Sequence, residues 1–400
     1  GMMEEILFLA HRVPWPPDRG DKIRSHHILN YLAQMAPVHV GAFADNDHDM
    51  GFGAAMGASL ASSHVEIRNK PTWLAGLEAL AKRSPVSVAS FASQSMAAWV
   101  RALLESRPIS HIFCFSGQMA QYVPADFEGR FLMDFVDVDS AKFESYADMG
   151  NPVMRWVNAR EGRLLAAFER DVAMRANLSL FVSDAEAELF RVRSGVHEAR
   201  ALGNGIDTIF YDPDATFRTL HPPFPDPLIV FTGQMDYRPN VEAVTIFATE
   251  AMPIIRAANP EATFAIVGRN PSVAVSDLSA LPGVQVTGAV DDVRTWLTAA
   301  DVVVAPLRTA RGIQNKVLEA MAMAQPVVAS PAAAEGIDAQ AGVHFYVENS
   351  ARAEAERVCA LFADANEMQR VGRAARAHVI AHYGWNQQLA PLQRMISEVQ

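Results

Sequence analysis

The chain has 400 residues, half of them hydrophobic and a fifth charged, which is the composition of a globular protein and excludes a disordered or fibrous one. This length exceeds what one hydrophobic core usually serves, so we expect two domains. Asp and Glu number 45 against 34 Lys and Arg, and this net charge of −11 argues against a nucleic-acid partner. Cys114 and Cys359 cannot form a disulfide framework, which favours the reducing cytoplasm.

The chain start and its apolar segments predict neither export nor a membrane span. Residues 6–10 form the first apolar run, but the run is too short for a secretion signal and follows two glutamates. No apolar stretch reaches the roughly 18 residues of a spanning helix. Residues 73–104 mix Trp and Leu with Lys and Arg, which suits either a helix lying on anionic lipid or a helical pair that faces the core. We expect a cytoplasmic protein, and a helix at 73–104 that lies on anionic lipid would bring it to the inner face of the cytoplasmic membrane.

Short apolar runs alternate with helical patterns along the whole chain. Their continuous apolar character is typical of strands that are buried on both faces of a parallel sheet. Repeated β-α units predict an α/β fold with two Rossmann-like, doubly wound parallel-sheet domains. The predicted strands lie at residues 6–10, 38–43, 111–115, 131–135, 178–182, 228–232, 263–267, 284–287, 302–305 and 327–329.

A proline-rich segment separates the two sets of units. Residues 221–227 carry too many prolines for a helix or a central strand, and we predict a linker at 216–227. The first domain would then span 1–215 and the second 228–383, with a final helix at 384–400. In such sheets ligands bind outside the carboxyl ends of the strands, so we expect the loops of both domains to face a shared cleft.

The loops of the first domain offer charged candidates for binding an acceptor. Gly20 and Asp21 predict a helix start after the first strand, and Lys22 and Arg24 in the first turns suit either an anionic substrate or solvent. Asp134 and Asp137 end another strand, where a carboxylate could orient an acceptor hydroxyl or act as a base. The Asp-x-Asp pattern at 137–139 also occurs at 45–47 and 212–214, so we predict no metal site.

Strand ends of the second domain carry glycines and arginines. Gly233 follows the strand at 228–232 and permits close approach of a ligand to the backbone, and Arg238 lies within reach of a phosphate there. Gly268 stands at the equivalent junction after the strand at 263–267. Each glycine is weak evidence by itself, because a plain tight turn after a strand also contains glycine.

The most informative segment follows the strand at 302–305. We predict a helix that begins near Gly312 and Ile313 and presents free N–H groups to a diphosphate. Asn315, Lys316 and Glu319 share one face of this helix, where Lys316 can add a positive charge and Glu319 can accept hydrogen bonds from a ribose diol. The alternative is an ordinary helix with an exposed Lys316–Glu319 pair.

These segments resemble the retaining family-4 glycosyltransferases, which have the two-domain GT-B fold. The stretch 315–322 with Gln325-Pro326-Val327-Val328 carries the likeness, together with residues 203–210, Phe231-Thr232-Gly233 and residues 286–290. Within that family, the proline-rich opening and residues 134–140 are similar to the exopolysaccharide sugar transferases of bacterial PEP-CTERM/exosortase systems.

The resemblance implies a nucleotide diphosphate sugar as donor and gives several residues a role. Glu319 would bind the donor ribose and Lys316 the diphosphate, and the last helix would cross back onto the first domain. The family usually carries a second glutamate eight positions earlier, where this chain has Arg311, and we expect Arg311 to face phosphate instead. Its usual Gly-Arg is Gly233-Gln234 here, so Arg238 or Arg308 would supply the missing charge.

The sequence therefore predicts a retaining, metal-independent hexosyltransferase without a cofactor, active in bacterial exopolysaccharide synthesis. Its partners would be a nucleotide-sugar donor and a glycan or lipid-linked acceptor. A nucleotide-sugar 2-epimerase of the same architecture and a non-catalytic nucleotide-sugar-binding protein are the alternatives. The candidate catalytic residues are Lys316, Glu319, Asp134 and Asp137.

Overall fold

The computed structural model describes residues 3–57, 59–219, 226–310 and 312–398. The chain forms two compact units: residues up to Asn204 together with those from Gln388 onward make the first, and Gly205–Gln387 make the second. Each unit has its own parallel sheet with helices around it, so the predicted fold class of two Rossmann-like domains is confirmed.

The first unit contains a seven-stranded parallel sheet. Its strand order is β3-β2-β1-β4-β5-β6-β7, so the chain winds outward from β1 in one direction and then from β4 in the other. The strands are β1 Glu5–Ala10, β2 Val38–Ala44, β3 Ser62–Ile67, β4 Ile109–Phe115, β5 Arg130–Val136, β6 Leu178–Phe181 and β7 Ala199–Ala201.

In the part of this unit that the structure describes, eight α-helices connect these strands. Asp21 stands in the first turn of α1, which begins at Gly20 as the sequence predicts. The helices are α1 Gly20–Ala33, α2 Phe52–Met56, α3 Thr72–Lys82, α4 Val86–Ala89, α5 Gln94–Ser106, α6 Asp139–Tyr146, α7 Pro152–Arg175 and α8 Asp184–Ser194.

The second unit contains a six-stranded sheet of order β10-β9-β8-β11-β12-β13, in which every pair of neighbours is parallel. Its strands are β8 Leu228–Thr232, β9 Thr263–Val267, β10 Val284–Gly288, β11 Val302–Ala305, β12 Val327–Ala329 and β13 Tyr346–Val347. Its helices are α9 Arg238–Ile246, α10 Met252–Ala258, α11 Val273–Ser276, α12 Val293–Ala299, α13 Asn315–Ala322, α14 Pro331–Ala334, α15 Ala351–Phe362 and α16 Ala365–His382.

The last helix, α17 (Trp385–Ser397), contributes residues from Gln388 onward to the first unit. His111 at β4 lies 3.0 Å from the carbonyl oxygen of Ile396, and the Nε of Arg130 at β5 donates to Met395 over 3.0 Å. Arg200 pairs with Glu398 just beyond the helix at 2.9 Å. Side chains of three strands thus hold the end of the chain on this unit.

Burial explains which strands the sequence reveals. Every residue of β1, β2 and β8 is buried, and these strands have the continuous apolar runs that predicted them. Three strands were missed: β3, β7 and β13. They lie at the sheet edges, and β3 is half-buried with the polar sequence Ser-Ser-His-Val-Glu-Ile. An edge strand packs on fewer neighbours, so its composition carries a weaker signal.

The strand order locates the switch point of each sheet. In the first unit the order reverses between β1 and β4, and in the second between β8 and β11. Ligands of doubly wound sheets bind outside the carboxyl ends of the strands at this point. The loops after β8 and β11 therefore define the place to search in the second unit.

Candidate functional site in the second unit

Two glycines bring the loops after β8 and β9 into direct contact. A Cβ atom on Gly268 would lie 1.6 Å from the carbonyl oxygen of Gly233, so only glycine fits at position 268. The Gly233 amide donates to Val267 over 3.0 Å, and the Met235 amide donates to Arg269 over 2.8 Å. Backbone hydrogen bonds thus fix both loops at the carboxyl edge of the sheet.

Lys316 reaches this edge from the first turn of α13. Its Nζ donates to Oδ1 of Asn240 over 2.7 Å and lies 4.2 Å above the centroid of the Phe231 ring. Asn240 is held by its own donation to the Gln234 carbonyl oxygen over 3.0 Å. A Cβ on Gly233 would be only 2.8 Å from the Lys316 Nζ, so the absence of a side chain makes room for the ammonium.

Lys316 and Glu319 are both partly buried, and burial shifts their pKa values in opposite directions. Burial lowers the pKa of Lys316 to about 8, while the charge of Glu319 acts to raise it. Burial raises the pKa of Glu319, against a hydrogen bond from Tyr211 and the charge of Lys316. The structure does not show the alternative arrangement of an exposed Lys–Glu pair, because Lys316 has Asn240 as its hydrogen-bond partner.

Tyr211 is a member of this site that the sequence analysis missed. Burial, and next the charge of Glu319, raise the pKa of its phenol, so it remains a hydrogen-bond donor to the carboxylate at neutral pH. The Tyr211 carbonyl oxygen accepts a hydrogen bond from Arg376 over 2.9 Å. In the turn that precedes it, the Asp207 carboxylate accepts a hydrogen bond from the Phe210 amide over 3.0 Å. The Gly-Asn-Gly-Ile-Asp turn at 203–207 was recognised, but nothing in it identified the tyrosine that follows.

The helix after β11 begins later than predicted. Helix α13 begins at Asn315, so Gly312 and Ile313 lie in the preceding loop, where both are exposed. The side chain of the N-cap residue, Gln314, makes no capping hydrogen bond to the first turn of this helix. Glycine in the loop shortens the helix because its φ of 67° is left-handed. Arg311 lies outside the described residues.

The two arginines expected to contact phosphate have different surroundings. Arg238 is exposed at the first position of α9, close to Asn240 in sequence. Arg308 instead donates to the Oε1 of Glu354 over 2.7 Å, and Glu354 is only 1% exposed. Burial raises the pKa of Glu354 to about 7, against the effect of Arg308. Arg308 thus makes an ion pair with a buried carboxylate in this unit, and its contact with phosphate stays a prediction.

In the first unit, Gly20 is exposed and Asp21 is half-buried, but the other two candidates on α1, Lys22 and Arg24, are buried rather than open to a substrate. The Lys22 ammonium lies 3.0 Å from the Asp49 carboxylate. The Arg24 Nε lies 2.9 Å from Asp134, which is 0% exposed, and its Nη1 donates to Asn204 over 2.9 Å. These contacts correct the expectation that Lys22, Arg24 and Asp134 face an acceptor, because each charge already has a buried partner.

Asp137 remains at the surface of the first unit. Lys142 lies 3.2 Å from Asp137 and 3.6 Å from Asp139, so both carboxylates of the Asp-x-Asp pattern share one lysine. Within the described residues, no group of three or more His, Cys, Asp and Glu side chains is placed to hold a metal ion.

Comparison with known proteins places the second unit among glycosyltransferase sequences. Residues 226–364 match the family model for glycosyl transferases group 1. This segment contains Gly233, Gly268, Lys316 and Glu319. A phosphatidyl-myo-inositol mannosyltransferase of Propionibacterium freudenreichii is 29% identical over 223 residues, which cover 53% of this chain and 54% of that protein. The match thus spans about half the length of the curated relative.

Solved structures show the same fold over nearly the whole chain. Anabaena HepE in complex with UDP superposes with a TM-score of 0.60 at 16% identity, covering 99% of this chain and 100% of that one. A sucrose-phosphate synthase from Thermosynechococcus elongatus superposes with a TM-score of 0.62 at 15% identity, covering 98% of each chain. At such low identity the likeness shows the fold alone, and it confirms the predicted fold class, that of GT-B glycosyltransferases.

Proposed function

We propose that the protein is a glycosyltransferase that moves a hexosyl group from a nucleotide diphosphate sugar to a glycan or lipid-linked acceptor. The observation that supports this most directly is the position of Lys316, whose ammonium lies against Gly233 at the switch point of the second sheet. A cation beside side-chain-free backbone is a suitable partner for a diphosphate. Relatives with the same fold include HepE, whose structure holds UDP.

The donor would lie along one face of α13. In this proposal, Lys316 and the first-turn N–H groups bind the diphosphate, and Glu319 accepts hydrogen bonds from the ribose hydroxyls. Tyr211 orients the Glu319 carboxylate. Arg238 and Arg311 remain candidates for further phosphate contacts, and Gly312, Ile313 and Asn315 for contacts through the exposed loop and helix start.

The proposed reaction retains the anomeric configuration. As the anomeric bond breaks, negative charge develops on the departing diphosphate, and Lys316 with the preplaced N–H groups stabilises that charge. The acceptor hydroxyl attacks from the same face that the diphosphate leaves and transfers its proton to a phosphate oxygen. This route needs no enzyme nucleophile, metal ion or cofactor, and the surface carboxylate of Asp137 is the candidate that orients the acceptor.

We also propose that the protein works at the inner face of the cytoplasmic membrane in exopolysaccharide synthesis. Helix α3 exposes Trp73, Leu77 and Leu80 by 66%, 57% and 55% of their surfaces, while Ala75 and Ala79 pack inward. The exposed side chains are spaced four and three residues apart, so they form one stripe on the helix. A stripe that ends at Lys82 and Arg83 suits anionic lipid. In the described part of the chain, no helix has both the length and the hydropathy to cross a membrane.

Sedimentation with phosphatidylglycerol vesicles tests this membrane contact. Replacing Leu77 with Glu should release the protein from the vesicles, because a charge would replace apolar contact area. The matched control is Val273→Glu, since Val273 is 78% exposed on α11, a helix of four residues that is too short to carry such a stripe. Equal vesicle binding by the wild type and L77E would contradict the contact.

Product analysis tests the proposed activity itself. The full chain is incubated with UDP-glucose or GDP-mannose, with and without a bacterial lipid extract, and the release of nucleotide diphosphate is measured together with the anomeric configuration of the product by NMR. Release that requires the extract, with retained configuration, is expected. Conversion of the donor sugar without any acceptor would indicate a 2-epimerase, and binding of nucleotide without release would indicate a non-catalytic binding protein.

A further inference from the structure

Three arginines that the sequence analysis did not single out converge in the first unit. Arg12 follows β1, Arg19 precedes α1, and Arg68 follows β3. All three approach the Asp45 carboxylate, at 3.2 Å for Arg12, 3.9 Å for Arg19 and 3.8 Å for Arg68. Asp21 is the second carboxylate of this group, 2.7 Å from Arg12 and 3.5 Å from Arg19. We call these three side chains the arginine cluster.

The arginine cluster has more positive than negative charge. Three guanidiniums meet two carboxylates, and the neighbouring Lys22 does not change this balance, because Asp49 neutralises it at 3.0 Å. His11 also faces Asp21, with its Nε2 3.4 Å from the carboxylate. Hydrogen bonds from His11 and Arg12 hold the pKa of Asp21 below its usual range despite its burial. An anion would balance the excess charge.

The guanidiniums also have spare hydrogen-bond donors. Each guanidinium has five N–H groups. Among the described residues, the bond from Arg12 Nη1 to Asp21 over 2.7 Å is the one side-chain hydrogen bond that the cluster makes. The Nε atom of Arg68 is buried without a hydrogen-bond acceptor in that part of the chain, and the Nε atom of Arg12 has only its 3.2 Å ion-pair contact with Asp45. The three side chains are 28% to 51% exposed, so their remaining N–H groups can reach a ligand at the surface.

The cluster is held in place before any ligand arrives. The guanidinium carbon of Arg68 lies 4.7 Å from the centroid of the Phe91 ring, and the Arg68 amide donates to the Ala44 carbonyl oxygen over 2.9 Å. Arg12 is fixed between two carboxylates. Arginines held on several sides suit a tetrahedral group with several acceptor oxygens, because planar guanidiniums bind phosphate in a bidentate way.

We infer that the arginine cluster binds a phosphate group of the acceptor, so that the acceptor is a phosphate ester rather than a neutral glycan. This inference rests on the proposed function. In the proposed function the donor diphosphate has its partner in Lys316 of the second unit. The cluster belongs to the first unit and lies at the carboxyl ends of β1, which borders the switch point, and of the edge strand β3. The acceptor phosphate comes either from a soluble phosphate ester or from a lipid headgroup.

Calorimetric titration of the full chain with methyl phosphate tests the inference. The titrations use a Lys316→Met background, so that the donor site does not contribute. Arg19→Ala and Arg68→Ala should each weaken binding about tenfold, the effect of losing one charge-assisted contact. Arg19→Lys should lose less, because it keeps the charge. Arg101→Ala, an exposed arginine on α5, is the matched control and should bind like its parent.

A second titration separates the two sources of phosphate. Vesicles of phosphatidylcholine with phosphatidic acid are compared with pure phosphatidylcholine. Cluster-dependent binding of methyl phosphate alone indicates a soluble ester, and cluster-dependent binding of the phosphatidic acid vesicles as well indicates a lipid phosphate. Unchanged binding in folded R19A and R68A would overturn the inference, as would binding that disappears in the Lys316→Met background, which would assign the phosphate to the donor.

Steady-state kinetics distinguish a binding role from a structural one. With an active phosphate-bearing acceptor, R19A and R68A should raise the acceptor KM about tenfold while the donor KM stays unchanged. If the cluster only holds the surrounding loops together, R19A and R68A would lower the thermal stability without this selective change in the acceptor KM. If UDP binds equally well to the wild type and the Lys316→Met variant, the proposed donor site is wrong, and the methyl phosphate result still stands on its own.

Discussion

Replacement of Lys316 by Met is the most direct perturbation of the proposed donor site. Methionine has nearly the length of lysine but no charge, so the change removes the ammonium while filling most of its volume. The variant loses the 2.7 Å hydrogen bond to Asn240 and the contact with the Phe231 ring. It also removes a partly buried cation, whose desolvation lowers the pKa of Lys316 to about 8.

The two effects on stability oppose one another. The charged lysine is disfavoured in the folded protein, because its pKa there lies below the ordinary value of 10.5. This cost is fully present below about pH 8 and disappears as the pH rises toward the unfolded pKa. Leaving Oδ1 of Asn240 without a donor costs about 1–3 kcal/mol. We therefore expect Lys316→Met to remain folded at pH 7, which thermal unfolding checks.

The effect on ligand binding should be larger. A hydrogen bond to a charged group contributes about 1.5–3 kcal/mol, so the Kd for a nucleoside diphosphate should rise about 10- to 150-fold. With a pKa of about 8, Lys316 is mostly charged at pH 7 and mostly neutral at pH 9. The wild-type Kd should therefore rise about tenfold between these pH values, while the Kd of the Met variant stays flat.

Isothermal titration with UDP and with GDP at pH 7, 8 and 9 measures both effects. The phosphate groups are fully ionised over most of this range, so the lysine is the main group that titrates. A folded Lys316→Met protein with wild-type affinity at pH 7 would refute the placement of the diphosphate. A wild-type Kd that does not change with pH would refute the assigned role of the partly buried ammonium.

Three further predictions concern stability. Gly268→Ala should destabilise the protein by about 3 kcal/mol or more, because its Cβ would overlap a backbone oxygen at 1.6 Å. Gly76→Ala, with open space around it within helix α3, is the control and should stabilise by about 0.5–1 kcal/mol; equal effects in urea unfolding would contradict the clash. Arg308→Ala should cost little at pH 6, where the buried Glu354 with its pKa of about 7 is protonated, and about 1.4 kcal/mol more for each pH unit above 7, because the unpaired carboxyl must then take up a proton that the paired one has lost. Unchanged UDP affinity in this variant would support a purely structural ion pair, and weakened affinity would restore Arg308 to the donor site. Burial raises the pKa of Glu169 to about 7, so the folded state favours the neutral carboxyl. The buried charged form therefore lowers the free energy of unfolding; this loss begins as the pH rises above 4.5, the pKa in the unfolded chain, and is complete above pH 7. Glu169→Gln should therefore stabilise by about 3 kcal/mol at pH 8 and hardly at all at pH 4, and a gain that is equal at both pH values would disprove the burial argument.

Local sequence patterns were enough to find the framework of the site. Nine of the ten predicted apolar runs correspond to strands whose residues are mostly buried, because a strand covered on both faces must be apolar throughout, and the tenth is the edge strand β10. Lys316 and Glu319 could be placed on one helix face from their spacing alone. The helix start was three residues off, since a glycine in a left-handed conformation shortens the helix at a point that the spacing cannot reveal.

The sequence by itself determined the fold class, the succession of β-α units along the chain and the pair of charges on α13. Only the tertiary structure decided which charged side chains are free to bind a substrate. Arg24 and Asp134 are 110 positions apart and meet as a buried pair, while Arg12, Arg19 and Arg68 converge from separate loops. The physical reason is that an ionic contact depends on distance in space, and neither hydrophobic periodicity nor local spacing records which distant loops a sheet brings together.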